Sequence, residues 1–122
     1  SLVKDVLAIH EGKEGHFETK VLLHVKNKSL KDFYSVKVMD SVPRYGHLEI
    51  DYGTMKPSKI EEASSGKRFL WEIPKVESGE ERIISYKIKT KMSLAGRHQL
   101  PRAILRYFGK GKHIVFVKSN RP

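Results

Sequence analysis

Apolar and polar side chains alternate along most of this chain with a period of two. Phe17, Thr19, Val21, Leu23 and Val25 fall on one side of an extended segment and Glu18, Lys20, His24 and Lys26 mostly on the other, the pattern of a strand buried on one face. Similar stretches run over Val6 to Ile9, Tyr34 to Met39, Leu48 to Tyr52, Arg68 to Ile73, Arg82 to Thr90, Arg102 to Phe108 and Lys112 to Lys118, eight strands in all. Turn-forming clusters separate them, among them Asn27-Lys28-Ser29, Ser64-Ser65-Gly66-Lys67 and Glu77-Ser78-Gly79-Glu80, with glycine and proline in the gaps where their backbone preferences suit turns. Gly109-Lys110-Gly111 joins two alternating runs and predicts a tight hairpin over Arg102 to Lys118. Helical patterning is confined to Pro57 to Ala63, where Ser58 could cap a turn or two.

Strands without interleaved helices predict an all-β chain. The expected architecture is an immunoglobulin-like β-sandwich of about seven to nine antiparallel strands with at most one short helical turn. It should occupy residues 1–118, followed by a polar tail or linker at 119–122. Trp71, flanked by Phe69 and Ile73 at alternate positions, is a core residue on this reading, as is Tyr86. If Tyr34, Val36, Val38, Ile84, Tyr86, Ile88, Ala103, Leu105 and Tyr107 face inwards, the outer positions carry Lys37, Met39, Ile83, Lys87, Lys89, Ile104, Arg106 and Phe108. Basic and apolar side chains would then share one outer face, a mixture that suits an interface with a protein or a neighbouring domain.

Composition narrows the function classes. The 122 residues suit one domain, and with 39% hydrophobic and 31% charged residues the chain has enough apolar content to fold unaided. Cysteine is absent, which removes disulfides, thiolate metal ligands and a cysteine nucleophile. Asn and Gln occur only three times while Lys and Glu abound, the direction taken by proteins of hyperthermophiles, so a thermophilic prokaryote is expected. No apolar run reaches the roughly 18 residues of a membrane-spanning helix, and no signal-peptide pattern opens the chain. The abrupt start at Ser1 and the polar end at Pro122 lead us to expect a module cut from a longer protein.

A net charge of +10 invites a nucleic-acid or anionic-surface partner, especially around Arg106-Tyr107-Phe108, where aromatics sit among basic residues. Lysines alternating along strands also serve to keep sheet edges from pairing with other chains. Catalytic patterns fail. His10-Glu11 is followed at position 14 by Glu14 where a zinc helix needs histidine, and none of the six histidines forms a cluster with metal-ligand spacing. A phosphate loop ending at Gly66-Lys67 would need glycine at Glu61 and a hydroxyl at Arg68. There is no Gly-x-Ser-x-Gly elbow, and Asp40, Asp51, Glu61 and Glu62 could act as acid and base only if folding gathered them. Neither an enzyme nor a cofactor is expected. Asn27-Lys28-Ser29 satisfies the N-glycosylation triplet, with turn formation the competing reading.

One ordered set of segments goes further: Asn27-Lys28-Ser29, then Val36-Lys37-Val38-Met39-Asp40-Ser41-Val42-Pro43, Trp71-Glu72-Ile73, Ser78-Gly79-Glu80 and Tyr86-Lys87-Ile88. It resembles the repeat domain of unknown function found in bacterial and archaeal cell-surface proteins, in which N-x-G/S, V-x-V-x-D-x-x-P, W-x-I, P-G-E and Y-x-V occur in this order. The resemblance covers roughly residues 17–91 and extends to Leu100-Pro101-Arg102-Ala103 and the Val117 to Asn120 end of archaeal members. It implies an immunoglobulin-like fold and a non-catalytic structural or binding module at an archaeal cell surface, with envelope proteins or domains as partners. The residues themselves have structural roles: Asn27 for a left-handed turn position, Asp40 for a bond to the backbone two residues on, and Pro43 to stop a strand. A nucleic-acid-binding domain and an enzyme accessory domain stand as alternatives.

Overall fold

The computed structural model describes residues 1–11, 17–44, 48–53, 55–90, 100–108 and 114–121. Among them are nine strands and no helix: β1 (Leu2–Glu11), β2 (Phe17–Lys26), β3 (Phe33–Pro43), β4 (Leu48–Tyr52), β5 (Lys59–Ala63), β6 (Gly66–Val76), β7 (Glu81–Thr90), β8 (Ile104–Phe108) and β9 (Ile114–Lys118). They build a four-stranded sheet, β1-β2-β7-β4, and a five-stranded sheet, β5-β6-β3-β8-β9, with antiparallel pairing throughout. β1, β2, β7 and β4 take the places of an immunoglobulin A-B-E-D sheet and β3, β8 and β9 those of C-F-G, with the β5–β6 hairpin added beside β3.

Alternation decides what lies between the sheets. Val21, Leu23 and Val25 of β2 and Ile84, Tyr86 and Ile88 of β7 are buried against Val36, Val38 and Val42 of β3 and Phe69, Trp71 and Ile73 of β6. Trp71 is the largest of them; its ring stacks on Tyr86 at 5.9 Å and its Nε1–H donates to the Met55 carbonyl at 3.1 Å. Both core assignments, Trp71 and Tyr86, therefore hold.

Four local expectations need correction. The segment offered as a helical turn, Pro57 to Ala63, contains β5 instead, paired from Lys59↔Leu70 to Ala63↔Gly66. All five β5 residues are exposed, so the segment has no apolar stripe for a helix to bury. The supposed tail at 119–122 is partly built into the fold. The Ser119 N–H donates to the Ala103 carbonyl and the Ala103 N–H donates back to the Ser119 Oγ, and the Asn120 side chain bonds both the N–H and the C=O of Lys4. An Asn amide thus stands in for a strand along the free edge of β1, satisfying peptide groups that would otherwise be open to another chain.

Asn27 works through its side chain, not through a left-handed backbone. Its Oδ1 accepts from Ser29, and its Nδ2 donates to the Lys31 and Val76 carbonyls. Since the residue is fully buried with both amide hydrogens engaged, the folded domain offers no acceptor for a glycan there. Asp40 likewise does not bond two residues on; its Oδ1 accepts from the Ser41 N–H and from Lys4. The expected hairpin pairs from Ile104↔Lys118 to Phe108↔Ile114, and its tip, Gly109 to Gly111, lies outside the described residues.

Gly66 closes the β5–β6 turn at φ 144°, and a Cβ there would lie 2.2 Å from the Val42 carbonyl oxygen. Gly79 has φ 78° but open space around it. Gly66→Ala should therefore cost clearly more than the roughly 1–2 kcal/mol of left-handed backbone strain expected of Gly79→Ala, an ordering that paired urea titrations of the two variants will check.

Candidate functional site: an exposed aromatic and basic sheet face

The outward face of the five-stranded sheet is set by register. Rows of neighbours run Lys59–Leu70–Met39–Ile104–Lys118, then Glu72–Lys37–Arg106–Phe116, then Lys75–Tyr34–Phe108–Ile114. The last two rows leave Tyr34 53%, Phe108 39%, Ile114 50% and Phe116 63% exposed. Lys75 Nζ lies 5.8 Å from the Tyr34 ring centre, within cation–π range, while also reaching Asp32 at 3.4 Å. Towards the other end of the sheet, half-buried Met39, Leu70 and Ile104 line a groove of about 390 Å³, rimmed by Arg68, Arg102 and the Lys59–Glu61 ion pair.

Lys37, Met39, Ile104, Arg106 and Phe108 of the expected interaction face are brought together here. Ile83, Lys87 and Lys89 are not. They lie on β7, which pairs with β2 and β4 and so belongs to the opposite sheet. There Ile83 neighbours His24, Lys87 neighbours Lys20 and Asp51, and Lys89 neighbours Glu18 and Glu49. The single face read from the sequence is thus two faces on opposite sides of the sandwich, because strand parity fixes in or out but not which sheet a strand joins.

Tyr34 was expected inside. Ser35 has φ 50°, and the β3–β8 register shifts between Tyr34 and Lys37 so that β3 carries one extra residue. This bulge reverses parity: Phe33 packs on the core, stacking with Tyr107 at 3.9 Å, while Tyr34 turns out beside Phe108. Tyr107 is therefore not part of the exposed aromatic set. Ile114 and Phe116 were missed, although the hairpin register places them beside Phe108 and Arg106.

Between the sheets sits a second polar constellation. Lys4 of β1 and Asp40 of β3 have fully buried side chains, with Nζ 2.7 Å from Oδ1. Lys4 Nζ also donates to the Pro101 carbonyl at 2.6 Å, Tyr86 Oη donates to Asp40 Oδ2 at 2.5 Å, and the Ser41 N–H donates to Oδ1 at 2.9 Å. Burial lowers the Lys4 pKa against the pull of Asp40, and burial raises that of Asp40 against its bonds to Lys4, Tyr86 and Ser41. Burial, reinforced by the Asp40 charge, holds the Tyr86 hydroxyl protonated well beyond its ordinary range.

The four acidic residues weighed as acid–base candidates are not gathered: Asp40 is interior, Asp51 is on the opposite sheet, and Glu61 and Glu62 lie on β5 in ion pairs with Lys59 and Lys67. His24 lies between Asp5 (Nε2 to Oδ2, 3.1 Å) and Glu81 (Nδ1 to Oε1, 3.2 Å) on the outer face of the four-stranded sheet. Among the described residues no group of three or more His, Asp or Glu is placed to hold a metal ion, and no helix is long and apolar enough to cross a membrane.

The arrangement is that of an antiparallel β-sandwich domain with an exposed aromatic and basic sheet face. No family model matches the sequence, and a search of curated proteins finds no match. Among solved structures the chain is similar to the GH20 exo-β-N-acetylglucosaminidase of Vibrio harveyi in complex with N-acetylglucosamine, with a TM-score of 0.55 at 13% identity over 98% of this chain and 17% of that one. An inactive mutant of the same enzyme gives 0.56 at 12% identity with the same coverage. The yeast delta-COP-I mu-homology domain, at a TM-score of 0.44, 11% identity and coverage of 87% and 38%, is too loose a likeness to carry an argument. What is shared with the glucosaminidase is the fold, and the chain spans 17% of that enzyme's length.

Proposed function

We propose that the domain is a non-catalytic binding or spacer module of a larger prokaryotic, extracytoplasmic surface protein, docking a neighbouring domain or envelope protein on the outer face of the five-stranded sheet. The observation that carries this reading is the cluster of Tyr34, Phe108, Ile114 and Phe116, all exposed, with Lys37, Arg106 and Lys75 among them. Aromatic side chains and arginine are enriched where proteins meet, and a contiguous apolar patch on a soluble surface marks such a place. The motif order of cell-surface repeat domains supports the compartment, and a similar fold forming only part of the long Vibrio harveyi chain supports the modular role.

The same face favours one second reading, a single-stranded nucleic-acid platform, since exposed rings flanked by cations can stack bases while neutralising phosphates. The test uses Phe108→Ser/Phe116→Ser. Both side chains are exposed, so the double variant should keep the wild-type melting profile to within about 1 kcal/mol. Wild type should sediment with envelopes isolated from source cells and the variant should stay soluble. Wild type left soluble overturns the surface reading, and saturable, Phe-dependent binding to single-stranded oligonucleotides at physiological salt replaces it with the second.

A further inference from the structure

We propose that Lys4 and Asp40 condense inside the folded domain to a side-chain amide that covalently joins the two sheets. This inference is independent of what the outer face binds. The two side chains are fully buried at 2.7 Å, one from edge strand β1 of the four-stranded sheet and one from central strand β3 of the other. Folding alone holds the nucleophile and the electrophile together, which converts an unfavourable bimolecular condensation into an intramolecular one.

Each further contact has a use in that reaction. Proton transfer from Lys4 Nζ to Asp40 within the pair gives a neutral amine and a neutral acid, the forms that burial favours for both groups. The amine lone pair attacks Cγ and a C–N bond forms. The transferred proton sits on Oδ1, the oxygen Lys4 contacts, so the C=O electrons move onto Oδ2, where the Tyr86 hydroxyl already donates, and Oδ1 re-forms the carbonyl when it gives that proton up. Collapse breaks the bond from Cγ to Oδ2, and Oδ2 leaves as water with the acid's proton and one proton from nitrogen. The Tyr86 hydroxyl, which donates to Oδ2, assists that departure. No oxidant, metal or cofactor is consumed: one amine and one carboxylic acid give one amide and one water.

The product also fits its surroundings. The remaining Nζ–H faces the Pro101 carbonyl and the new carbonyl oxygen keeps the Ser41 N–H, so the buried amide has both its donor and its acceptor satisfied. Tyr86 is a positioning and proton-donating residue here, and its removal should slow the reaction without changing the product.

Intact mass spectrometry of the purified, folded domain under denaturing conditions tests this. The wild type should be lighter than its sequence mass by one water, and protease digestion should yield a branched peptide joining the β1 segment around Lys4 to the β3 segment around Asp40. Lys4→Arg and Asp40→Ala should show their full sequence masses, a readout that does not require either variant to fold. Asp40→Asn should lose one ammonia and converge on the same branched product, and Tyr86→Phe should reach it more slowly. A folded wild type of full sequence mass after prolonged incubation overturns the proposal. So does a loss of water that maps to a linear peptide at Asp40-Ser41, which would be a backbone succinimide.

Discussion

Trp71→Ala should be the most damaging apolar truncation in this domain, lowering the free energy of unfolding by about 3–5 kcal/mol. The indole is fully buried and meets Phe69 at 5.7 Å and Tyr86 at 5.9 Å. Removing it opens a cavity between two sheets that are each held rigid by their own ladders, so neighbouring side chains can close only part of the space. The Met55 carbonyl also loses the indole N–H, its link between the chain leading to β5 and the core. Trp71→Phe keeps most of the volume and should lose less than the alanine variant. Guanidinium titrations followed by circular dichroism will rank the two, and an alanine variant as stable as the phenylalanine one would refute a plug role for the ring.

The second large effect is at Asp40. Asp40→Ala removes the carboxyl group that Lys4, Tyr86 and the Ser41 N–H all share, leaving the buried Lys4 amino group with the Pro101 carbonyl as its remaining partner among the described residues. Stranding one partner of a buried pair costs about 3–5 kcal/mol, because the remaining group is neither hydrated nor compensated, and where Lys4 and Asp40 are joined the variant loses that cross-link as well. Tyr86→Phe, which deletes a single hydrogen bond to the same carboxylate, should cost about 1–3 kcal/mol. Urea titration of both variants against wild type measures the difference, and near-equal stability of Asp40→Ala and wild type would show that the interior tolerates an unpaired lysine.

The two effects illustrate unequal legibility. Trp71 was readable because apolar residues two apart in a strand share a face, and Phe69-Leu70-Trp71-Glu72-Ile73 leaves little choice about which face is buried. The role of Asp40 was only partly readable: its motif identified a structural residue, but its partner is Lys4, 36 positions earlier and on the apolar phase of β1 with Leu2. A lysine on that phase, like Asp40 on the apolar phase of β3 with Val36, Val38 and Val42, signals an interior charge, but without the fold nothing pairs the two. Tyr34 was misplaced because the bulge at Ser35, a non-glycine residue at positive φ, has no marker in the local sequence.

By itself the sequence determined the class of architecture, most strand positions, the turns at Gly66 and Gly79, and the side chains that fill the core, since these follow from alternation and backbone preference within a few residues. It also determined which side chains point away from the core along most strands, though not at the Tyr34 end of β3, where the bulge at Ser35 reverses parity. Only the tertiary structure decided that β7 belongs to the sheet opposite β3 and β8, which split the expected interaction face and left Lys37, Met39, Ile104, Arg106 and Phe108 together with Phe116. It alone brought Lys4 to Asp40 and laid Asn120 along the edge of β1. The reason is physical: strand order and inter-sheet contacts are set by long-range pairing and by the packing of one whole sheet against another, quantities that no local window of residues carries.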